Sequence, residues 1–354
     1  TLRTEVVYSN LMKAIDQPGG PADLPLRVRD QVIVFNLADA RAESLAEVVS
    51  ELELQATDYR PARVIQTAGA VRFPGRLPLQ DGATLLQAIA MSGGALTGAE
   101  RHYGVIARTL HPSRDIEMLS FSLSAAETRP GSPDNPILQP GDRIYIFDED
   151  GERGALIAEE LDRLSRQASF GSHEQLITVL GEVRHGGTYP LEQGMRASDL
   201  LCAAGGLTRK AYGVTAELSR INYKADGDNY TEHLTLDSVA LLEICELRRR
   251  VAMGLASEEQ YLAAYQVAER NPELMRMDQL AFSEKAGCVE RATVTLTGEV
   301  KHPGVYAIDR GETLCQVLQR AGGLSEDAYS FGARFTRESV RAMQQQTIDQ
   351  LHAQ

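Results

Sequence analysis

The chain has 354 residues, with 36 Lys+Arg against 49 Asp+Glu, a net charge of −13, four cysteines and no tryptophan. That length predicts two or three domains, each able to bury a core. The acidic balance repels a phosphate backbone and so excludes ordinary nucleic acid binding, and no apolar run approaches the 18 residues of a membrane span.

An internal repeat organises the chain. Gly69, Gly181 and Gly298 correspond, as do Gly75, Gly187 and Gly304, and then Gly94, Gly206 and Gly323, always at offsets of 112 and 117. In chain order, residues 1–37 match the end of the following repeat, with Leu11, Asp30 and Phe35 standing where it has Leu123, Asp142 and Phe147. They are expected to form the C-terminal strands of a preceding repeat whose head is absent. The N-terminus TLRTEVVYSN lacks the pattern of a secretory signal. Because the chain is read as starting partway through a unit, that lack says nothing of compartment.

Residues 38–61 read as a helical linker with Leu45, Val49 and Leu52 on one stripe. Residues 62–148 form a repeat, 149–174 a second linker striped by Ile157, Leu161 and Leu164, and 175–282 a repeat with a helical excursion near 241–269. Residues 292–337 supply the N-terminal half of a third repeat, and 338–354 a polar terminal helix.

Each repeat has the same local logic. An alternating strand meets a Gly-containing turn and a second short strand. Thr84, Ser198 or Thr313 then stands near the start of an apolar-periodic run, as a residue able to accept hydrogen bonds from the first helical turn. Gly93-Gly94, Gly205-Gly206 or Gly322-Gly323 stops that helix, because glycine enters the left-handed cap without strain. Further strands follow, and Pro140-Gly141-Asp142 turns into the last of them in the first repeat. Hairpin, helix and returning strands predict an α+β architecture, tandem β-grasp repeats joined by helical linkers.

The third repeat, Gly298-Glu299-Val300-Lys301-His302-Pro303-Gly304-Val305-Tyr306 with Ala321-Gly322-Gly323-Leu324, resembles the soluble-ligand-binding β-grasp (SLBB) domain. Tandem copies look like the Wza-like outer-membrane polysaccharide export proteins. The resemblance covers residues 1–37, 62–148, 175–282 and 292–337. The second repeat departs from it, with Gly186 in place of the proline and no Pro-Gly-Asp triplet in its tail. The resemblance implies a non-catalytic periplasmic segment of an outer-membrane-associated protein, homo-oligomeric in its full-length form. Its repeats would scaffold a conduit for capsule or exopolysaccharide and dock an inner-membrane polysaccharide co-polymerase. The alternative is a module that binds a soluble carbohydrate or cobalamin-like ligand.

Arg72, Arg184 and Lys301 occupy equivalent turn positions, each followed by a ring, Phe73, His185 or His302. These turns could align to meet an acidic glycan or a neighbouring subunit. The plainer reading is exposed turn residues with no shared partner. Tyr189 and Tyr306 are equally equivalent; either stacks on a sugar ring or, as is commoner on a hairpin, packs half-buried with a wet hydroxyl.

The glycine pairs end helices and so do not form a phosphate site. His185 and His302 stand in separate repeats, no cysteine pair has zinc spacing, and no catalytic motif recurs, so no metal, cofactor or enzymatic activity is expected. Cys202 and Cys315 sit in apolar helical patterns and read as buried thiols, while one disulfide, such as Cys245 to Cys288, stays open in an oxidising compartment. Arg248, Arg249 and Arg250 read as a solvated helix face making local ion pairs. A tail without its head and a head without its tail predict an unpaired strand edge at one or both ends, able to template association.

Overall fold

Gly-containing hairpins and Gly-Gly helix stops recur three times, and the computed structural model shows a β-grasp hairpin and helix at each. It describes residues 4–35, 41–57, 59–111, 113–168, 174–222, 230–284, 292–308, 311–329 and 332. The chain divides into two units, Thr1–Ala286 and Gly287–Gln354.

The first unit opens with α1 (Leu11–Asp16), capped by the Asn10 side chain, and α2 (Arg41–Leu54). Leu45, Val49 and Leu52 of α2 are buried, as their stripe requires. The first repeat then runs β1 (Val64–Gly69), β2 (Gly75–Pro78), α3 (Leu85–Met91), β3 (Ala99–Thr109), β4 (Ile116–Phe121), α4 (Leu123–Thr128) and β5 (Arg143–Asp148). Its sheet order is β2-β1-β5-β3-β4. The outer pairs are antiparallel, and β1 and β5 run parallel side by side. Bringing the last strand beside the first over the packed helix is the β-grasp closure.

After α5 (Arg153–Leu156) and α6 (Ala158–Arg166), the second repeat follows: β6 (Leu176–Gly181), β7 (Gly187–Pro190), α7 (Ala197–Ala203), β8 (Ala211–Asn222), β9 (Tyr230–Asp237), the inserted α8 (Ser238–Ala252) and α9 (Glu258–Tyr265), and β10 (Gln279–Glu284). The order β7-β6-β10-β8-β9 repeats the first sheet. In the second unit, β11 (Ala292–Leu296) and β12 (Gly304–Ile308) form the hairpin beneath α10 (Leu314–Arg320).

The first sheet is buried on both faces. Ile106, Ile144 and Ile146 meet α3 on one side, while Val105, Ala107, Tyr145 and Phe147 join Ile157 and Leu164 of the linker and the core of the second repeat on the other. This explains the unbroken apolar run of β5, whose alternate residues serve two cores. β8 of the second sheet instead shows exposed Thr215 and Glu217 on the face opposite Ala216 and Leu218.

Several expectations are corrected. No strand forms among residues 4–35; Val32 and Val34 are 60% and 67% exposed. A strand needs an edge to pair with, and none of the described strands pairs with this segment. Cys202 is disulfide-bonded to Cys245 across α7 and α8, and Cys315 is exposed rather than buried, while Cys288 lies outside the described residues. Ser198 lies inside α7; Arg196 is the cap residue, its N–H donating to Asp199 at 2.9 Å. The terminal helix at 338–354 also falls outside the described residues. Among the described residues no helix is long and apolar enough to cross a membrane.

Candidate functional site

The three equivalent turns are tied to the helix ends by the same backbone pair. The Arg72 and Phe73 N–H groups donate to Gly94 and Ser92 carbonyls, those of Arg184 and His185 to Gly206 and Ala204, and those of Lys301 and His302 to Gly323 and Ala321, all at 2.8–3.1 Å. These bonds satisfy carbonyls that the helix leaves open. The ring of each turn lies over the first cap glycine. A Cβ on Gly93 would stand 2.7 Å from Phe73, and one on Gly205 or Gly322 would stand 2.9 or 3.1 Å from His185 or His302. Phe73, His185 and His302 therefore cover a glycine, whereas Arg72, Arg184 and Lys301 are exposed. Arg72 and Arg184 stand on separate hairpins of the first unit and Lys301 on the second unit.

The two tyrosines repeat a further tie. The Tyr189 hydroxyl donates to the His185 carbonyl at 2.7 Å and the Tyr306 hydroxyl to the His302 carbonyl at 2.5 Å. Tyr189 is 2% exposed within the core, 6.2 Å from the ring of Tyr103. Its faces meet protein. Tyr306 is half-buried, with the Arg320 guanidinium 5.9 Å from its ring centre.

Arg184 and His185 border an open groove of about 810 Å³ with Glu149, Asp150, Glu152 and Arg153. Burial, and then Arg153, holds the His185 imidazole below its ordinary pKa, so it is a neutral ring at neutral pH. Arg153 itself is buried against the stacked rings of Tyr103 and Phe147, pairs with Glu100 at 2.5 Å and donates to the Ala203 carbonyl. It fastens the first repeat to the end of α7 in the second.

A second cavity, about 320 Å³, lies where α8 and α9 close over the junction of the two repeats. Residue pattern alone did not reveal it, because its walls come from residues 102–134 and 192–265. Glu192 accepts from the N–H and hydroxyl of Ser120, both at 2.8 Å. Burial, only partly offset by those bonds, pushes its carboxyl up to about 7. Its other oxygen, the Tyr103 hydroxyl and His102 Nδ1 are buried without a hydrogen-bond partner among the described residues. Beside them Arg248 pairs with Asp199 at 3.1 Å, and the Tyr265 hydroxyl donates to the same carboxylate at 2.6 Å. Arg248 is thus a wall of this chamber rather than part of a solvated face, while Arg249 does pair locally with Glu246. The rings of Tyr261 and Tyr265 stand 5.2 Å apart. Charged pairs, unpartnered polar atoms and aromatic faces suit a small hydroxylated molecule.

Among the described residues no group of three His, Cys, Asp or Glu side chains is placed to hold a metal. The SLBB domain matches residues 64–109, 176–231 and 293–341. Each of these three segments is thus an SLBB domain, which belongs to a binding-domain family rather than a catalytic one. No curated protein matches the chain.

Proposed function

We propose that this chain is a non-catalytic segment of a polysaccharide export protein, periplasmic and outer-membrane-associated, whose stacked SLBB units build the wall of a glycan conduit. What supports the reading is the core shared by β3, β5, α6 and the second repeat. One continuous apolar core makes two tandem units a stiff body, as a wall element requires and a flexible string of binding domains does not. In the full-length protein, such bodies assemble as homo-oligomers and dock an inner-membrane polysaccharide co-polymerase. Titration with acidic and neutral oligosaccharides tests the reading. A wall contacts passing glycan weakly, so binding at millimolar concentration or none is expected.

A second reading, a receptor for a soluble carbohydrate, is favoured by the chamber around Glu192 and Asp199. Micromolar binding of one sugar, lost in Tyr265→Ala, would establish it in place of the first.

A further inference from the structure

Where the first repeat has the six-residue α4 between its last two strands, the second has the long α8 followed by α9. What this enlargement adds is the chamber around Glu192. Residues of β3, β4 and the loop after α4 line one side of it, and residues of α7, α8 and α9 line the other. At about 320 Å³ it stands at the small end of the roughly 300–1,000 Å³ span of ligand pockets, which is room for one ring and not for a chain.

Two O–H donors belong to its lining. The Ser120 N–H and hydroxyl both donate to one Glu192 oxygen, and burial keeps this carboxyl protonated below about pH 7, so the proton sits on the other oxygen. Burial, and then Glu192, keeps the Tyr103 hydroxyl protonated as well. Among the described residues neither of these groups has a hydrogen-bond partner, nor has His102 Nδ1. Buried polar groups are ordinarily paired, and three unpaired ones in the lining of a single chamber mark where the hydroxyls of a ligand belong.

The lining has no charge to spare. Arg129, Arg248 and Arg249 stand with Asp134, Asp199 and Glu258, three charges against three. Arg129 pairs with Glu258 at 2.8 Å, Arg248 with Asp199 at 3.1 Å and Arg249 with Glu246 at 3.2 Å, while Asp134 accepts the Ser122 N–H at 2.8 Å. Burial, and then Arg249, holds His102 below its ordinary pKa, so it adds no charge at neutral pH. An ionised ligand entering here loses its hydration and meets no surplus of opposite charge. An uncharged ring loses far less, and its C–H face has the rings of Tyr261 and Tyr265 to lie on.

We propose that this chamber binds one uncharged, hydroxylated ring of monosaccharide size, its hydroxyls on Glu192 and Tyr103, with α9 as the lid over it. None of the eight residues of α9 is fully buried, whereas Leu241, Ile244 and Cys245 root α8 in the core. The Tyr265 hydroxyl on Asp199 and the Arg129–Glu258 pair tie α9 down. An element so lightly packed opens at a lower cost than its neighbour. The proposal rests on the carbohydrate reading of the chamber and adds the charge and the size of the sugar.

Calorimetric titration of the full chain at pH 6 with D-glucose, D-galactose and D-mannose, and with the uronate and the amino sugar of each, tests it. One neutral hexose is expected to bind at least about tenfold more tightly than its two charged counterparts, and to slow hydrogen exchange in residues 258–265. Tyr103→Phe keeps the stacking on Phe147 and removes an unpaired hydroxyl. Its melting temperature should equal or exceed that of wild type, while its affinity for that hexose falls about tenfold. Equal or tighter binding of a uronate or an amino sugar overturns the proposal and leaves the carbohydrate reading standing, whereas no binding by any of these sugars overturns both. Undiminished binding by Tyr103→Phe also overturns it.

Discussion

Arg108 forks onto Asp142, its Nε 3.0 Å from one carboxylate oxygen and its Nη2 2.8 Å from the other. Asp142 is fully buried, and Arg220 repeats the fork on Asp278, equally buried. Each carboxylate also holds the tail turn through a backbone N–H. One side chain therefore fixes both where the last strand starts and which strand it lies beside.

Removing one partner of a buried pair leaves the other uncompensated, at about 3–5 kcal/mol. Arg108→Ala is expected to destabilise the first unit by that order. Arg63→Ala, which removes a pairing with the largely exposed Asp81, should cost under about 1 kcal/mol. Denaturant melts of the two variants check the contrast.

Glu192 makes stability depend on pH in a stated direction. Its folded carboxyl titrates near 7 against an ordinary 4.5, because burial disfavours the charge. The folded state thus holds a proton that the unfolded state has released between those values. Stability from this group is greatest below about pH 4.5 and declines as pH rises towards 7. Glu192→Gln, which keeps an acceptor for Ser120, should match wild type near pH 4. It should exceed wild type by roughly 2–3 kcal/mol above pH 7. Thermal melts from pH 4 to 8 read the difference, and parallel curves would disprove the assignment.

The Cys202–Cys245 bridge closes a separation of 43 residues between α7 and α8. Chain entropy puts the stabilisation of such a loop at about 4 kcal/mol as an upper figure. Reductant, or the double Cys→Ala variant, should lower the melting temperature and loosen α8 and α9 over the Glu192 chamber. Peptide mapping without reduction should find this pair joined, and hydrogen exchange should show the added opening in residues 238–265.

Two glycines separate backbone strain from steric contact. Gly82 and Gly93 are both left-handed, at φ 70° and 83°. A Cβ on Gly82 meets nothing within 4 Å among the described residues, whereas one on Gly93 runs into the Phe73 ring. Gly82→Ala should cost about 1 kcal/mol, the left-handed penalty alone. Gly93→Ala should cost distinctly more, and Phe73→Ala in the same chain should recover part of the excess.

The repeat, its glycine stops and the stripes at Leu45, Val49 and Leu52 could be read from the chain alone, because each is a local signal. A left-handed cap demands glycine where it stands, and an apolar period shows which helix face is covered whatever covers it. The strand expectation at residues 1–37 drew on the same pattern and met its limit in the described part, 4–35, since a strand, unlike a cap, forms only against another strand. Equivalence likewise marked Phe73, His185 and His302 without saying that each lies on its own repeat's helix stop. Only tertiary structure decided that Cys202 meets Cys245, that Glu192 reaches Ser120, that Arg153 is buried against the stacked rings of Tyr103 and Phe147, and that the first sheet is covered on both faces. Each of these joins segments far apart along the chain, and their meeting depends on how whole elements pack rather than on any residue's neighbours in sequence.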